Sequence, residues 1–289
     1  MNEPAPRAAF RFFEPLRVRW AEVDAQKIVF NGHYLMYLDT AVAGYWRALA
    51  LPYEASMHAL EGDLYVRKST LGYEGSARYD DRLEVGLRCA RVGTSSMVFD
   101  GAVFRGAQRL VAGELVYVFA DPATQTSKPV PALLREILRG FEAGEPMVQV
   151  RLGTWSELGA AARTLRTAVF VDEQRIPAAL EPDADDATAL HALALNRLGD
   201  AVGTGRLVQS SPAVARIGRM AVTPPLRGSG IGATLVQAFS QAALARGCSE
   251  LELHAQATAV AFYRRLGFQP RGEPFVEAGL VHQAMALAL

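Results

Sequence analysis

Between Arg216 and Phe239 the sequence reads RIGRMAVTPPLRGSGIGATLVQAF, and its spacing suits the binding of a phosphate. Gly228, Gly230 and Gly232 allow the backbone to turn sharply and to come close to a ligand. The helix expected after them starts with N–H groups that have no intrahelical partner, so they point at whatever fills the loop. A β-branched, apolar strand, Ile217 to Val222, leads in, and Pro224 and Pro225 mark its exit. An apolar stripe at Ile231, Leu235, Ala238, Phe239 and Ala242 is expected to pack the helix on the strands and hold its N-terminus in place. Strand, loop and helix together aim free amides at an anion such as a pyrophosphate.

Three phosphate-binding readings compete. A nucleotide-hydrolase loop needs Lys and a hydroxyl residue after its last glycine, but Ala233-Thr234 follows Gly232. A dinucleotide fingerprint fits Gly228-x-Gly230-x-x-Ala233 with Glu250 or Glu252 downstream, yet too little chain remains for the further strand and helix units of that fold. The third, Arg227-x-x-Gly230-x-Gly232, resembles the acetyl-CoA signature of the GCN5-related N-acetyltransferases (GNAT). The downstream run LELHAQATAVAFYRRLGF, residues 251–268, resembles the second block of that superfamily. Upstream, RTAVFVDEQRIPAALEPDADDATALHALAL and AVGTGRLV resemble its first helices and its second and third strands.

That resemblance implies coenzyme A, as acetyl-CoA, for the second half of the chain. Arg227, Gly228, Ser229, Gly230, Ile231, Gly232 and Ala233 would hold the pyrophosphate. Main-chain groups of the Met220-Ala221-Val222 segment would hold the pantetheine arm. Tyr263 would protonate the departing thiolate, a transfer from a phenol near pKa 10 to a thiol near 8.5 that is uphill by roughly 2 kcal/mol. Tyr263 also reads as a helix aromatic covering a core. The acceptor would be an amine of unknown identity. Its base is left open among Glu173, Glu181, Glu252, His191, His254 and His282. The acidic stretch Glu181 to Asp186 reads as a solvated loop or as an attractor for a cationic amine.

The first half has a different grammar. A strand, Leu16 to Trp20, leads to a loop and then to a helix, Tyr34 to Leu49, with apolar or small residues on nearly every side, which predicts burial all round. Strand-like runs follow at Leu64–Tyr73, Leu83–Val92, Ser96–Phe104 and Leu110–Ala120, with glycine or aspartate at the turns. Asp80-Asp81 reads as one such turn, and Arg11, Arg17 and Arg19 as a solvated strand face. A buried helix wrapped by an antiparallel sheet is the hot-dog arrangement. The segment Val18 to Leu38, with RYDDRLEV and SKPVPALLREILRGFE further on, resembles acyl-CoA thioesterases of the 4-hydroxybenzoyl-CoA thioesterase type.

By that resemblance Asp24 takes the catalytic carboxylate position, attacking a thioester carbonyl or deprotonating the water that does. The N–H groups of Asn31 and Gly32 at the helix start would hold the oxyanion. Relatives usually carry glycine where Lys27 stands; if φ is positive there, lysine adds strain of order 1 kcal/mol. Many have aspartate at Glu22, and some have histidine at Asn31. Asp24 also reads as a turn-capping aspartate. Hot-dog folds generally pair through their sheets, so a homodimer or homotetramer is expected.

The 289 residues suit about two domains, and half of them are hydrophobic. A break of glycines and Pro146 after the amphipathic helix Ala132–Leu138 divides them as 1–144 and 145–289, before a strand, Met147 to Leu152. The fold class is therefore α+β: a hot-dog domain followed by a GNAT mixed α/β domain. Formal net charge is zero, which argues against nucleic acid or anionic membrane as partner. Two isolated cysteines and five unpaired histidines give no metal motif. No signal peptide or membrane span is read, so a cytoplasmic location is expected. Two functions fit: a pair of acyl-CoA enzymes, thioesterase and N-acetyltransferase, or a transferase whose hot-dog half serves oligomerisation or acyl-CoA sensing. A CoA-binding regulator without turnover is the third.

Overall fold

A computed structural model describes residues 4–289 and divides the chain into two units, Met1–Met147 and Val148–Leu289. In the first, β1 (Phe12–Arg17) precedes helices α1 (Asn31–Ala48) and α2 (Tyr53–Ala59). Strands β2 (Asp63–Tyr73), β3 (Arg82–Val92), β4 (Ser96–Arg105) and β5 (Gln108–Ala120) follow, then helix α3 (Ala132–Ala143). The sheet is antiparallel throughout, in the order β1-β3-β4-β5-β2. This is the hot-dog arrangement expected from the apolar helix and the strand-like runs that follow it.

Two glycines seat the helix. Gly101 of β4 and Gly113 of β5 are cross-strand partners, and a Cβ on either would come within 2.5 Å and 3.0 Å, respectively, of a Leu38 methyl. Leu38, fully buried, therefore sits directly on the backbone of the sheet. Tyr34, Tyr37, Ala41, Tyr45 and Trp46 join it on the buried side of α1. The helix is not buried all round, however. Leu35, Met36, Asp39, Thr40 and Ala43 are exposed, because one sheet covers only one face. The first strand is also displaced from the expected Leu16–Trp20. Trp20–Glu22 forms a single 3₁₀ turn, drawn in by Glu22 accepting a hydrogen bond from the Arg19 N–H at 2.7 Å.

The second unit begins with β6 (Val148–Gly153) and α4 (Trp155–Arg166), whose first turn is capped as Glu157 accepts from the Thr154 N–H at 2.8 Å. Helix α4 gives way at Thr167 to a wider π-helical turn, Thr167–Glu173. Strands β7 (Leu190–Asn196), β8 (Ala201–Gln209) and β9 (Val214–Val222) lead to α5 (Ile231–Ala245). Then come β10 (Glu250–Gln256), α6 (Val260–Arg265), β11 (Gln269–Glu277) and β12 (Leu280–Ala288). The mixed sheet has the order β11-β12-β10-β9-β8-β7-β6, with one parallel pair, β9 and β10. Helix α5 packs through Ile231, Leu235, Val236, Phe239 and Ala243. Ala238 and Ala242 lie beside that stripe, half-buried.

Candidate active sites

In the second unit the parallel strands part. Pairing of β9 with β10 ends at Ile217 and Leu253, while β9 continues along β8 to Val222 and β10 along β12 to Gln256. A notch opens between them, and the backbone of Gly218 to Val222 lies along its edge. The strand is also bulged: its register with β8 shifts, and Arg219 adopts φ 52°. A bulge re-aims side chains. Strict alternation would turn Arg219 away from Gly218 and Arg216. Instead its guanidinium reaches Asp183 at 2.8 Å, the same carboxylate that Arg206 of β8 holds at 2.7 Å.

Beyond the end of β9, Gly228 (φ 86°) and Gly230 (φ 92°) take left-handed conformations, which any other residue enters only with strain. Gly230 is the N-cap of α5, so the N–H groups of Ile231, Gly232 and Ala233 form its open first turn. Arg227 at the loop's entrance donates Nε to the Val222 carbonyl at 3.2 Å and is held bidentately by Glu173, with both contacts at 2.6 Å. Gly232 lets α6 approach, since a Cβ there would stand 3.1 Å from the Phe262 ring.

A cavity of about 340 Å³ adjoins the notch, with Gly218, Arg219, Met220 and Tyr263 among its lining. Arg206, Arg216, His254 and Gln256 enter from the sheet, and residues between Phe170 and Asp185 cover it. Tyr263 is almost fully buried against Phe262 and Phe268, and that burial pushes its phenol up to about 12. No hydrogen-bond partner for its hydroxyl is present among the described residues. Tyr263 is thus a core aromatic that also borders the cavity.

The six base candidates separate. His191 is buried, with Nε2 2.9 Å from the Asp186 carbonyl and its imidazole pKa lowered by desolvation. Glu173 is tied to Arg227, and Glu252 accepts from Ser210 at 3.0 Å away from the cavity lining. Glu181 is buried against Arg166 at 2.6 Å, an ion pair too poorly aligned to count as a hydrogen bond. His282 borders the cavity with Nδ1 2.9 Å from the Leu280 carbonyl. His254 borders it with Nδ1 3.2 Å from Glu277 Oε2.

The acidic stretch is not a solvated loop. Asp186 is buried, bonded at 3.0 and 2.9 Å to Arg166 and at 2.8 Å to Arg206. Asp183 binds Arg206 and Arg219, and Asp185 lies 3.5 Å from Arg206 and 3.6 Å from Arg216. Burial alone would raise the Asp183 pKa; hydrogen bonds from Arg206 and from the Asp185 N–H outweigh it and bring it to about 2. The acids are thus answered by arginines and leave little net pull for a cation. Sequence reasoning missed this network and Glu277. The only local signal was four acids in a run, and their partners lie on α4, β8 and β9.

In the first unit, an isolated bridge between Val23 and Val29 closes a tight loop. Asp24 sits in it, bonding through its main chain to Ile28 and Lys27 and accepting from the Gln26 N–H at 2.8 Å. Lys27 adopts φ 63°. Glu22, buried, accepts from Tyr37 at 2.8 Å and from Arg19 Nε at 2.7 Å, and its carbonyl takes the Phe30 N–H at 2.9 Å. Burial opposes its charge, but these hydrogen bonds hold its pKa below the usual carboxylate range. Helix α1 starts at Asn31, so the N–H groups of Asn31 and Gly32 lie in its open first turn. The Phe30 ring lies over Gly32, where a Cβ would approach it to 2.9 Å. As expected, Asp80-Asp81 forms a turn, with Asp81 accepting from the Arg78 N–H at 2.8 Å. Among the described residues no helix is long and apolar enough to cross a membrane.

Comparison with known proteins bears on both halves. The Acetyltransferase (GNAT) domain family matches residues 154–289, and the Thioesterase superfamily matches residues 26–112. An uncharacterized Bacillus subtilis protein, YyaT, is 30% identical over 138 residues, covering 47% of this chain and 91% of its own. A putative acetyltransferase of the same organism is 32% identical over 124 residues, covering 42% of this chain and 83% of its own. A crystal structure of a 1,4-dihydroxy-2-naphthoyl-CoA thioesterase from Synechocystis is similar at 17% identity and TM-score 0.41, covering 44% of this chain and 95% of that one.

Proposed function

The chain belongs to the GNAT acetyltransferases through its second domain and carries a thioesterase-superfamily domain before it; from that premise we propose a cytoplasmic enzyme with two acyl-CoA sites. The second domain transfers an acetyl group from acetyl-CoA to an amine, and the first hydrolyses an acyl-CoA thioester. The observation that carries the transfer reading is the notch between β9 and β10, set between a glycine-capped helix start and a buried tyrosine. The pyrophosphate sits on Arg227 and the amides from Gly228 to Ala233. The pantetheine arm follows the main chain of Met220, Ala221 and Val222 into the notch.

The amine nitrogen then attacks the thioester carbonyl, a C–N bond forms and the C–S bond breaks. His254 takes the amine proton on Nε2, because Nδ1 is directed to Glu277. Tyr263 gives its proton to the thiolate. A phenol near 12 facing a thiol near 8.5 would be about 5 kcal/mol uphill in water. A thiolate expelled into the same desolvated cavity is itself made more basic, which narrows the gap.

In the first domain Asp24 supplies the carboxylate, and the Asn31 and Gly32 N–H groups receive the oxyanion, where one such donor is worth roughly 3 to 4 kcal/mol. Glu22 positions both by anchoring the two ends of the loop. Exposed Leu35 and Met36 on α1, with Val66 on the edge strand β2, support assembly as a homodimer or homotetramer through this domain.

Free-thiol release from acetyl-CoA, with and without an amine panel, tests the division of labour. Gly230→Glu places charge and bulk in the phosphate loop and is expected to abolish only the amine-dependent part. Amine-dependent release that survives this change contradicts the loop assignment.

A further inference from the structure

One wall of the cavity beside the notch sets Arg206, Arg216 and Arg219 against Asp183 and Asp185. On β9 and β8, Arg216, Arg206 and Gly218 share one face of the sheet, because Arg206 pairs with Gly218 and alternation returns Arg216 to that face. The bulge adds Arg219. These arginines have donors to spare. The Arg206 side chain is 7% exposed, and its Nε has no acceptor among the described residues, nor has that of Arg219. Arg216 meets Asp185 only at 3.6 Å, beyond hydrogen-bond distance. Buried donors without acceptors are costly, and all three residues line the cavity.

The opposite wall is different. His254 on β10 and Glu277 at the end of β11 form a pair at 3.2 Å that accepts protons. Arg216 pairs with Glu252 across the parallel strands, so His254 lies two residues further along β10, about 6.6 Å on. A wall of arginines with donors to spare and the His254–Glu277 pair thus line one small space.

We infer that the acceptor is an amino acid: a primary amine that carries a carboxylate, held through that carboxylate by Arg216 and Arg219 while its amino group faces His254 and Glu277. This rests on the transferase reading given above. A carboxylate suits the arginine fork. Asp183 and Asp185 beside the arginines repel a phosphate dianion more strongly than a single charge. Arg216 is a substrate-binding residue here, fixing the amine against the thioester.

The test compares amino acids with the amines left when the carboxylate is removed: leucine with isopentylamine, phenylalanine with phenethylamine, tryptophan with tryptamine. Acetyl-CoA-dependent thiol release is measured for each and expressed as kcat/KM per free-base amine. The wild-type protein is expected to favour the amino acid of its best pair by about tenfold or more. Arg216→Gln is expected to bring that ratio toward one by raising KM for the amino acid more than it lowers kcat. Equal turnover, no turnover in any pair, or preference for the decarboxylated amines or for phosphoethanolamine overturns the acceptor assignment if calorimetry shows acetyl-CoA bound. Failure to bind acetyl-CoA overturns the transferase reading itself.

Discussion

Arg227 and Glu173 grip each other through two hydrogen bonds, each 2.6 Å long. The carboxylate ends the π-helical turn that leads into the cavity cover, and the guanidinium opens the phosphate loop. On the proposed function, the cation that would hold the pyrophosphate already has an anion, so CoA would compete with Glu173 for it.

Glu173→Gln is therefore expected to tighten acetyl-CoA binding. Both side chains are about two-fifths exposed, and an exposed pair contributes about 0.2–1 kcal/mol, so the gain is at most about fivefold in Kd. Calorimetric titration reads it directly. Weaker binding in the variant would mean that Glu173 positions Arg227 for CoA.

The network around Arg166 predicts a stability effect. Its side chain is 1% exposed and bonded to both carboxylate oxygens of Asp186, with Glu181 beside it. Arg166→Met would leave those acids buried with too few cations, at a cost of about 3–5 kcal/mol. Urea unfolding of the full chain should show a much lower midpoint for the second domain; a shift below about 1 kcal/mol would show that the pair is well solvated.

Acid should loosen the same region. The unfolded chain protonates Asp183 near its ordinary value of 3.8, whereas in the fold Asp183 holds off its proton until about 2, and Asp186 is lowered in the same direction. Their stabilisation is complete above pH 4 and is lost as pH falls toward 2. His191, whose pKa burial lowers from 6.5, begins to erode stability below about that pH. Thermal melts between pH 7 and pH 3 should show a falling midpoint for the second domain. A flat profile would contradict the ion-pair assignment.

Much of this was readable from the sequence because local chemistry enforces it. Strand-like runs marked β2 to β5, although the first strand lies upstream of its expected place, and glycine spacing marked the loop at Gly228 and Gly230, whose φ values favour glycine. The positive φ at Lys27 follows from the tight turn between Asp24 and Ile28. Other features depend on long-range pairing. The run Glu181 to Asp186 looks solvated until α4, β8 and β9 bring Arg166, Arg206, Arg216 and Arg219 against it. The bulge that swings Arg219 into the cavity leaves no trace in residue type. Helix α1 looks buried on every side because Leu35 and Met36 are as apolar as Leu38; composition does not reveal that a single sheet covers one face.

The most direct measurement is thiol release from short, long and aromatic acyl-CoAs without amine, comparing wild type with Asp24→Asn, followed by release from acetyl-CoA once an amine acceptor is added. Two acyl-CoA sites predict amine-independent release that disappears in Asp24→Asn, and amine-dependent release that the variant keeps. No amine-independent release from any acyl-CoA would contradict a hydrolytic first domain and leave it an oligomerisation or sensing module for the transferase.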